Sequence, residues 1–418
     1  MWRITYSLLA YLMAPLVPLR LLHKARRNPA YLHDWQQRLR IGRLPEAPAR
    51  LWVHAVSVGE VVAATAVVRE LLRRHPQHRL LLTTTTPTGR EEALRRFGDS
   101  VDHRFLPIDL PHLMTALVRG LRPSLLIVIE TELWPNLFAA CRQHAVPVLL
   151  ANARLSERSF RRYQRVGRLA RQTLAMVDAI AARADADAER LLALGASPER
   201  LRVVGNTKWD MDPGQSSGSP AVALPADRPI WMAASTHDGE ETLLLEVHRQ
   251  LLSRHPEALL VIAPRHPERF AAVQSLCLSV GLGTGRRSEG PPTPEQAVWL
   301  ADSMGELAQW FPQVAFTFMG GSLVPVGGHN PLEPAVHGIP VLTGPHIDNF
   351  AEVYAALGPG AGIVSDTRQL LTHALALFAD PDERQCRGQV LLDCVQRHTG
   401  AAARVCDWAD TLIDRDRP

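Results

Sequence analysis

Two glutamates stand where apolar runs give way to polar turns, and a carboxylate there can take a proton from an attacking hydroxyl. Glu60 closes the stretch HAVSVGE (54–60), which follows a strand-like run and opens a helical pattern. Gly59 lets the backbone pass close to a ligand. Ser57-Val58-Gly59-Glu60 also fits an S-x-x-E capping box, which accounts for both residues without chemistry, and the two roles are compatible. Glu130 ends the run LLIVI at the carboxyl edge of an expected central strand. An acid there serves a reaction or pairs with a nearby arginine. Glu132, two residues on, reads as an ordinary first-turn helix acid.

The basic and glycine-rich motifs suit an anionic ligand. Lys208, in GNTKWD, either places a positive charge on a phosphate or carboxylate or sits solvated in a loop. Pro264 and Arg265 follow the run ALLVIA, where an arginine reaches a phosphate with two parallel hydrogen bonds or joins a surface salt bridge. Met304-Gly305-Glu306-Leu307 opens a helix whose first amides suit an anion or a base edge. GGSLVPVGGHNPLEPA (320–335) sets two glycine pairs between a strand and a helix expected near Pro331. Its amides are expected to approach a phosphate, with Glu333 accepting from ribose hydroxyls. The pattern matches neither a P-loop nor a dinucleotide fingerprint, which argues against ATPase and dehydrogenase readings. Asp185-Ala186-Asp187 resembles a D-x-D metal motif but reads as a helix cap, so no metal and no cofactor are expected. Residues 152–174 carry seven arginines and one glutamate. One helix would align Arg158, Arg161, Arg165 and Arg168 into a single-sign stripe suited to phosphorylated lipid head groups, the acceptor included.

These motifs need a scaffold that brings strand ends together. Leu51–Val56, Leu80–Thr84, Leu125–Ile129 and Val146–Leu150 are expected strands, with helices over Val61–Leu72 and Leu133–Cys141. After a Pro/Gly/Ser-rich linker at 211–228, strands are expected over Ile230–Ala234, Ala258–Ala263, Val298–Ala301, Val314–Met319 and Ile339–Thr343. Such alternation implies two doubly wound α/β domains, with ligands at the carboxyl ends of the strands in a cleft between them. The length, 418 residues, fits two domains, assigned to 23–210 and 229–418.

Composition narrows the class further. Five scattered cysteines without a C-x-x-C pair argue against a disulfide framework and for a reducing compartment. The net charge of +4 is local: residues 1–50 hold nine basic and two acidic residues, the rest 37 against 40. This favours a membrane-lipid partner for the N-terminus over a nucleic-acid partner for the whole chain. Residues 1–22 are expected to anchor the protein, spanning the bilayer or lying in its interface. The basic residues that follow place the body on the cytoplasmic side.

HAVSVGE, TELWPN, NARLS, GNTKWD, ASTHDGEE, PRHPERF, MGEL and GGSLVPVGGHNPLEPA occur in this order, and the ordered set resembles the 3-deoxy-D-manno-octulosonic acid (Kdo) transferases up to about residue 390. The resemblance implies a GT-B fold, CMP-Kdo as donor, a lipid A precursor (lipid IVA) as acceptor, and an inverting, metal-independent transfer at the inner membrane in lipopolysaccharide synthesis. It implies Glu60 as proton acceptor and Glu130 and Lys208 as transition-state stabilisers. It further implies CMP contacts from Pro264, Arg265, Gly305, Glu306, Leu307, Asn330, Pro331, Leu332 and Glu333. The last helix is a candidate to cross back to the N-terminal domain. A sugar-nucleotide epimerase of the same fold would need no lipid anchor, and a non-catalytic membrane protein would leave Glu60, Glu130 and the 320–333 turn without a role.

Overall fold

The structure, a computed structural model, describes residues 2–26, 28–39, 50–211 and 222–414. Of the linker expected at 211–228, residues 212–221 lie outside the described residues. The chain divides into two compact units, Met1–Asp210 with His398–Pro418, and Met211–Arg397.

The first unit is built on seven parallel strands: β1 (Arg50–His54), β2 (Arg79–Thr84), β3 (Asp102–Phe105), β4 (Pro123–Ile129), β5 (Val148–Ala153), β6 (Ala179–Ala182) and β7 (Leu201–Val203). They lie in the order β3-β2-β1-β4-β5-β6-β7. The apolar run in β4 makes it a central strand, because a parallel strand is covered on both faces. Leu125, Ile127 and Ile129 point into one core with Leu51 and Val53 of β1. Leu126 and Val128 point into the other with Trp52. The two-residue period thus divides one hydrophobic run between two cores.

One of those cores is completed from far along the chain. The Ala401–Asp414 helix buries Val405, Cys406, Ala409 and Leu412 against the β1 and β4 side chains. Asp210 fixes its start by accepting from the amides of Gly400 and Ala402, the latter at 2.6 Å. Arg74 binds Asp407 and Asp410 at 2.7 and 2.8 Å along its length.

The second unit repeats the plan with β8 (Ile230–Thr236), β9 (Leu259–Pro264), β10 (Thr284–Arg286), β11 (Val298–Leu300), β12 (Phe316–Met319), β13 (Val341–Thr343) and β14 (Ala361–Ile363). Their order is β10-β11-β9-β8-β12-β13-β14, all parallel. In each sheet the winding reverses beside the first strand, between β1 and β4 and between β8 and β12. Such a reversal opens a crevice at the carboxyl edge, where ligands of open α/β sheets bind. Two seven-stranded parallel sheets of this kind make the GT-B class of fold.

Two expectations about local structure change. The arginine stripe is broken: Glu157–Arg165 and Gly167–Leu174 are separate helices, with Val166 at φ −112°, ψ 31° between them. A β-branched residue followed by glycine disfavours helix continuation there. Arg158, Arg161 and Arg165 share the first helix, while Arg168 belongs to the second and lies 5.5 Å from the centre of the Trp2 ring. Glu132 precedes the Pro135–Gln143 helix instead of lying in its first turn.

Among the described residues no single N-terminal helix is long and apolar enough to cross a membrane. Trp2–Met13 and Leu16–Ala25 are two helices bent by 57° at a break that contains Pro15. The first helix docks by a polar face. Tyr6 Oη donates to Asp109 (3.0 Å), Ser7 Oγ lies 2.8 Å from Asn136 Oδ1, and Asp109 accepts from the Asn136 and Leu137 amides. Its other face exposes Ile4, Leu8 and Leu12, and Leu16, Leu19 and Leu22 of the second helix are exposed as well.

Candidate active site

In the first unit, both strands that border the reversal deliver a carboxylate. Glu60 lies in the first turn of the Val58–Arg74 helix after β1, and Glu130 directly follows β4. Glu60 is only 8% exposed. It accepts from the Val56 amide at 2.6 Å and the Ser57 hydroxyl at 3.2 Å. The capping box is therefore not built in its usual form. Ser57 makes no side-chain cap, and the carboxylate bypasses the Ser57 amide for that of Val56.

The electrostatics differ from the sequence expectation as well. A helix start should favour the ionised acid. Instead burial, opposed by the Val56 hydrogen bond and reinforced by the negative charge of Glu132 and Glu130, pushes Glu60 up to about 8. Burial and then Glu130 push Glu132 up to about 7. Desolvation outweighs the dipole because three carboxylates share one partly dry place. Nearby, His54 is fully buried, bonded through Nδ1 to Thr83 Oγ (2.9 Å), and edge-on to Trp134. Burial holds its pKa down to about 4, so it is neutral at physiological pH.

The backbone is shaped to present these groups. Glu130 has φ 60° and Asn152, within β5, has φ 52°. Side chains other than glycine seldom occupy this region, and residues held there gather at functional sites. The Asn152 side-chain carbonyl accepts from the Thr207 amide (3.1 Å), and the Thr207 hydroxyl donates to the Ala63 carbonyl (2.7 Å). The short Thr207–Trp209 turn that carries Lys208 is thereby fastened to the helix that carries Glu60.

In the second unit the same position is basic. Arg265 follows β9 and is exposed, and among the described residues its side chain makes no ion pair. His237 follows β8, His266 follows β9, and His329 lies in the turn after β12. His237 Nε2 and His329 Nε2 are 2.8 Å apart with the rings stacked, and His266 meets His237 edge-on at 5.3 Å. Burial, then His237, Arg265 and His266, hold His329 down to about 4. Burial also lowers His237, with Glu240 acting against it.

The glycine turn does not offer its first amides to a ligand. The buried Glu240 carboxylate accepts from the amides of Gly321 (2.7 Å), Ser322 (2.9 Å) and Leu323 (2.9 Å), and from that of His237 (2.9 Å). It holds the turn in shape and spans the β8–β12 reversal. Glycine is required at two positions for close approach. A Cβ at Gly320 would lie 2.5 Å from the Ser235 carbonyl, and one at Gly321, which has φ 67°, would lie 3.0 Å from the His329 ring.

The remaining sequence-derived positions lie around this edge. Pro264 ends β9. Gly305 has φ 87°, Leu307 opens the one-turn Leu307–Trp310 helix, and the Glu306 carboxylate is bound by Arg287 at 2.8 and 3.0 Å. Asn330 Oδ1 accepts from the Leu332 amide at 3.2 Å, Pro331 precedes the Leu332–Ala335 helix, and Glu333 lies in that helix. Asp187 accepts from the Leu155 amide at 2.8 Å, which ties a loop down.

Sequence reasoning quoted the motifs containing His237, His266, Glu240 and His329 but gave none of them a role. Their signal was position: His237 directly follows β8, His266 comes two residues after β9, and Glu240 opens the helix after β8. The His237–His329 contact joins residues 92 apart, which no local spacing reveals.

The two parallel sheets, each with its winding reversal, place the protein in the GT-B fold class. The UDP-GlcNAc 2-epimerase of Neisseria meningitidis shares the fold, with a TM-score of 0.56 at 14% identity over 85% of this chain and 100% of that one. Residues 33–211 match the family model described as 3-deoxy-D-manno-octulosonic-acid transferase (kdotransferase). The chain is 38% identical to the 3-deoxy-D-manno-octulosonic acid transferase of Haemophilus influenzae over the full length of both, and 35% identical to that of Bordetella pertussis over 97% of this chain and 98% of the relative. It belongs to the Kdo transferase family.

Proposed function

We propose that the protein moves Kdo from CMP-Kdo to a hydroxyl of a lipid A precursor such as lipid IVA, with inversion at the anomeric carbon, in lipopolysaccharide synthesis. The observation that carries this reading is Glu60, a buried carboxylate at a strand-order reversal whose affinity for a proton is raised into the working range. A base is most effective when its pKa lies near the operating pH.

The acceptor oxygen attacks the anomeric carbon of Kdo and its proton passes to a Glu60 oxygen. The bond from that carbon to the phosphate oxygen breaks on the opposite face, and the electron pair leaves with CMP. Arg265 supports the phosphate as its charge grows, with Glu333 on the ribose. Glu130 and Lys208 stabilise charge around the transferring sugar. Pro264, the 305–307 turn and Asn330–Leu332 complete the nucleotide site.

The N-terminal helices support attachment to the cytoplasmic face of the inner membrane from one side. Their exposed leucines suit the acyl boundary, and Lys24 and Arg26 suit anionic head groups. Arg158, Arg161 and Arg165 lie on a helix suited to phosphorylated lipid, the acceptor included.

The deciding experiment is incubation with CMP-Kdo and lipid IVA, followed by mass spectrometry of the lipid and NMR of the new linkage. A lipid heavier by one or more Kdo units is expected. CMP-Kdo consumed with the lipid mass unchanged would refute the transfer.

A further inference from the structure

We propose that His237 and His329 form a proton-sharing pair that receives the phosphate of the nucleotide donor and neutralises the charge it gains on departure. This rests on the donor reading given above and extends it to two residues with no role so far.

The placement comes first. The two histidines follow β8 and β12, the strands on either side of the winding reversal in the second unit. Arg265, after the neighbouring β9, carries its charge on the same edge. A ligand in that crevice meets imidazole and guanidinium together.

The geometry of the pair is specific. At 2.8 Å between the Nε2 atoms, one ring donates and the other accepts, so one proton lies between them. Each ring therefore keeps a defined tautomer. Gly321 permits this stack, because a Cβ in place of its α-hydrogen would lie 3.0 Å from the His329 ring. The three imidazoles are not a metal site, since among the described residues no group of three or more His, Cys, Asp or Glu is placed to hold an ion.

The surroundings keep the pair neutral until an anion arrives. Glu240 lies close enough to His237 to raise its proton affinity, but its oxygens are committed to four amides. Glu241 is held by Arg269 and by Thr236. Arg269 also binds Asp238 at 2.8 Å. Tyr354 Oη lies 3.5 Å from the His329 carbonyl and not at the ring. Arg265 and His266 oppose protonation of both rings. A phosphate reverses that balance, because it pairs with Arg265 and supplies the negative charge the rings lack.

The charge balance of transfer gives the pair its use. In a sugar nucleotide the phosphate is a diester with one negative charge. When the carbon–oxygen bond breaks, the nucleoside monophosphate leaves with two. A pair that takes up one proton as the phosphate binds stabilises that second charge, and releases the proton to solvent when CMP departs.

The test uses the full-length protein and CMP. Calorimetric titration at pH 7.5 in two buffers of different ionisation enthalpy counts the protons taken up per CMP bound. Wild type is expected to take up a substantial fraction of one proton, and His329→Gln and His237→Gln close to none, with CMP affinity about ten-fold weaker in each. Imidazole ¹⁵N resonances of the wild type, followed with and without CMP, give the same answer without a variant and guard against misfolding. On binding, both rings should move toward the imidazolium position. Wild-type proton uptake in both variants, or imidazole nitrogens unmoved by bound CMP, overturns the pair's role while leaving the donor site standing. Failure of the wild type to bind CMP overturns the donor reading and the pair together.

Discussion

The two units share a plan and differ in sign. In each, a parallel sheet reverses its winding beside its first strand, and helices or turns after strands at or next to the reversal carry a cluster of titratable groups. In the first unit those groups are Glu60, Glu130 and Glu132, with Lys208 fastened to the same helix. In the second they are His237, His266, His329 and Arg265, with the buried Glu240 consumed by backbone amides and the buried Glu241 by Arg269 and Thr236. Burial acts on both sets and moves them apart. It raises the proton affinity of Glu60 and Glu132 and lowers that of His237 and His329, so these four drift toward neutrality. The fold supplies the place, and the side chains decide whether it takes a proton or an anion.

The strongest way to break this comparison is Glu60→Gln. Transfer should fall by about 10²–10⁴-fold, since an amide cannot accept the hydroxyl proton, while calorimetric CMP affinity stays at the wild-type value. Near-normal turnover would leave Glu60 a structural residue, with Glu130 the next base to test. The same variant sharpens the electrostatics. The wild-type Glu60 carboxyl, pushed up to about 8 in the fold, lies above its unfolded value of about 4.5, so the stability it contributes is fully present below about 4.5 and lost as pH rises through 8. Thermal melts should therefore show Glu60→Gln gaining on the wild type between pH 5 and pH 9.

Arg265→Ala and Glu333→Ala come next, with CMP affinity about ten-fold weaker or more and unchanged melting curves. Wild-type affinity in both would remove the nucleotide from this edge of the second unit. A smaller effect belongs to Glu132→Gln. In the wild type, kcat/KM should rise with pH through about 8 as Glu60 loses its proton. Removing the Glu132 charge should move that limb to lower pH by several tenths of a unit, and an unmoved limb would mean that the two acids do not interact.

The smallest effect is expected from Arg158, Arg161 and Arg165 changed together to Gln. Turnover should fall a few-fold with acceptor in anionic vesicles and recover in detergent or in high salt, because surface charges are screened. Arg168 is left out of this set because it packs over Trp2 on the other side of the helix break. Equal losses in both media would argue against a membrane role for that face.

Where hydrophobic pattern alone decides, the chain is readable. The runs that become β4 and β9 appear in the sequence as near-continuous apolar stretches, and those of β8 and β12 as apolar runs with few polar residues. β10, with the sequence TGR, and β14, with AGI, carry no such signal, because edge strands are recruited by neighbours already in place. The helix break at Val166 was hidden by an arginine spacing that fits one continuous helix. Glu60 and Arg265 were visible as polar residues after strands. The raised proton affinity of Glu60 was not, since it arises first from tertiary burial and then from Glu132 and Glu130, some seventy residues later in the chain. The stacked histidines share that character, as each becomes meaningful only when the turns after β8 and β12 meet.

The Ala401–Asp414 helix has a consequence for how the molecule is made. Its side chains fill a core whose other walls are β1, β4 and the Val58–Arg74 helix, yet the whole second unit is encoded between them. On the ribosome the second unit emerges entire before the first can close, so β1 and β4 wait through its synthesis with one flank uncovered. A premature stop near codon 398 would accordingly spare the later-translated unit and leave the earlier one with its core open on that flank.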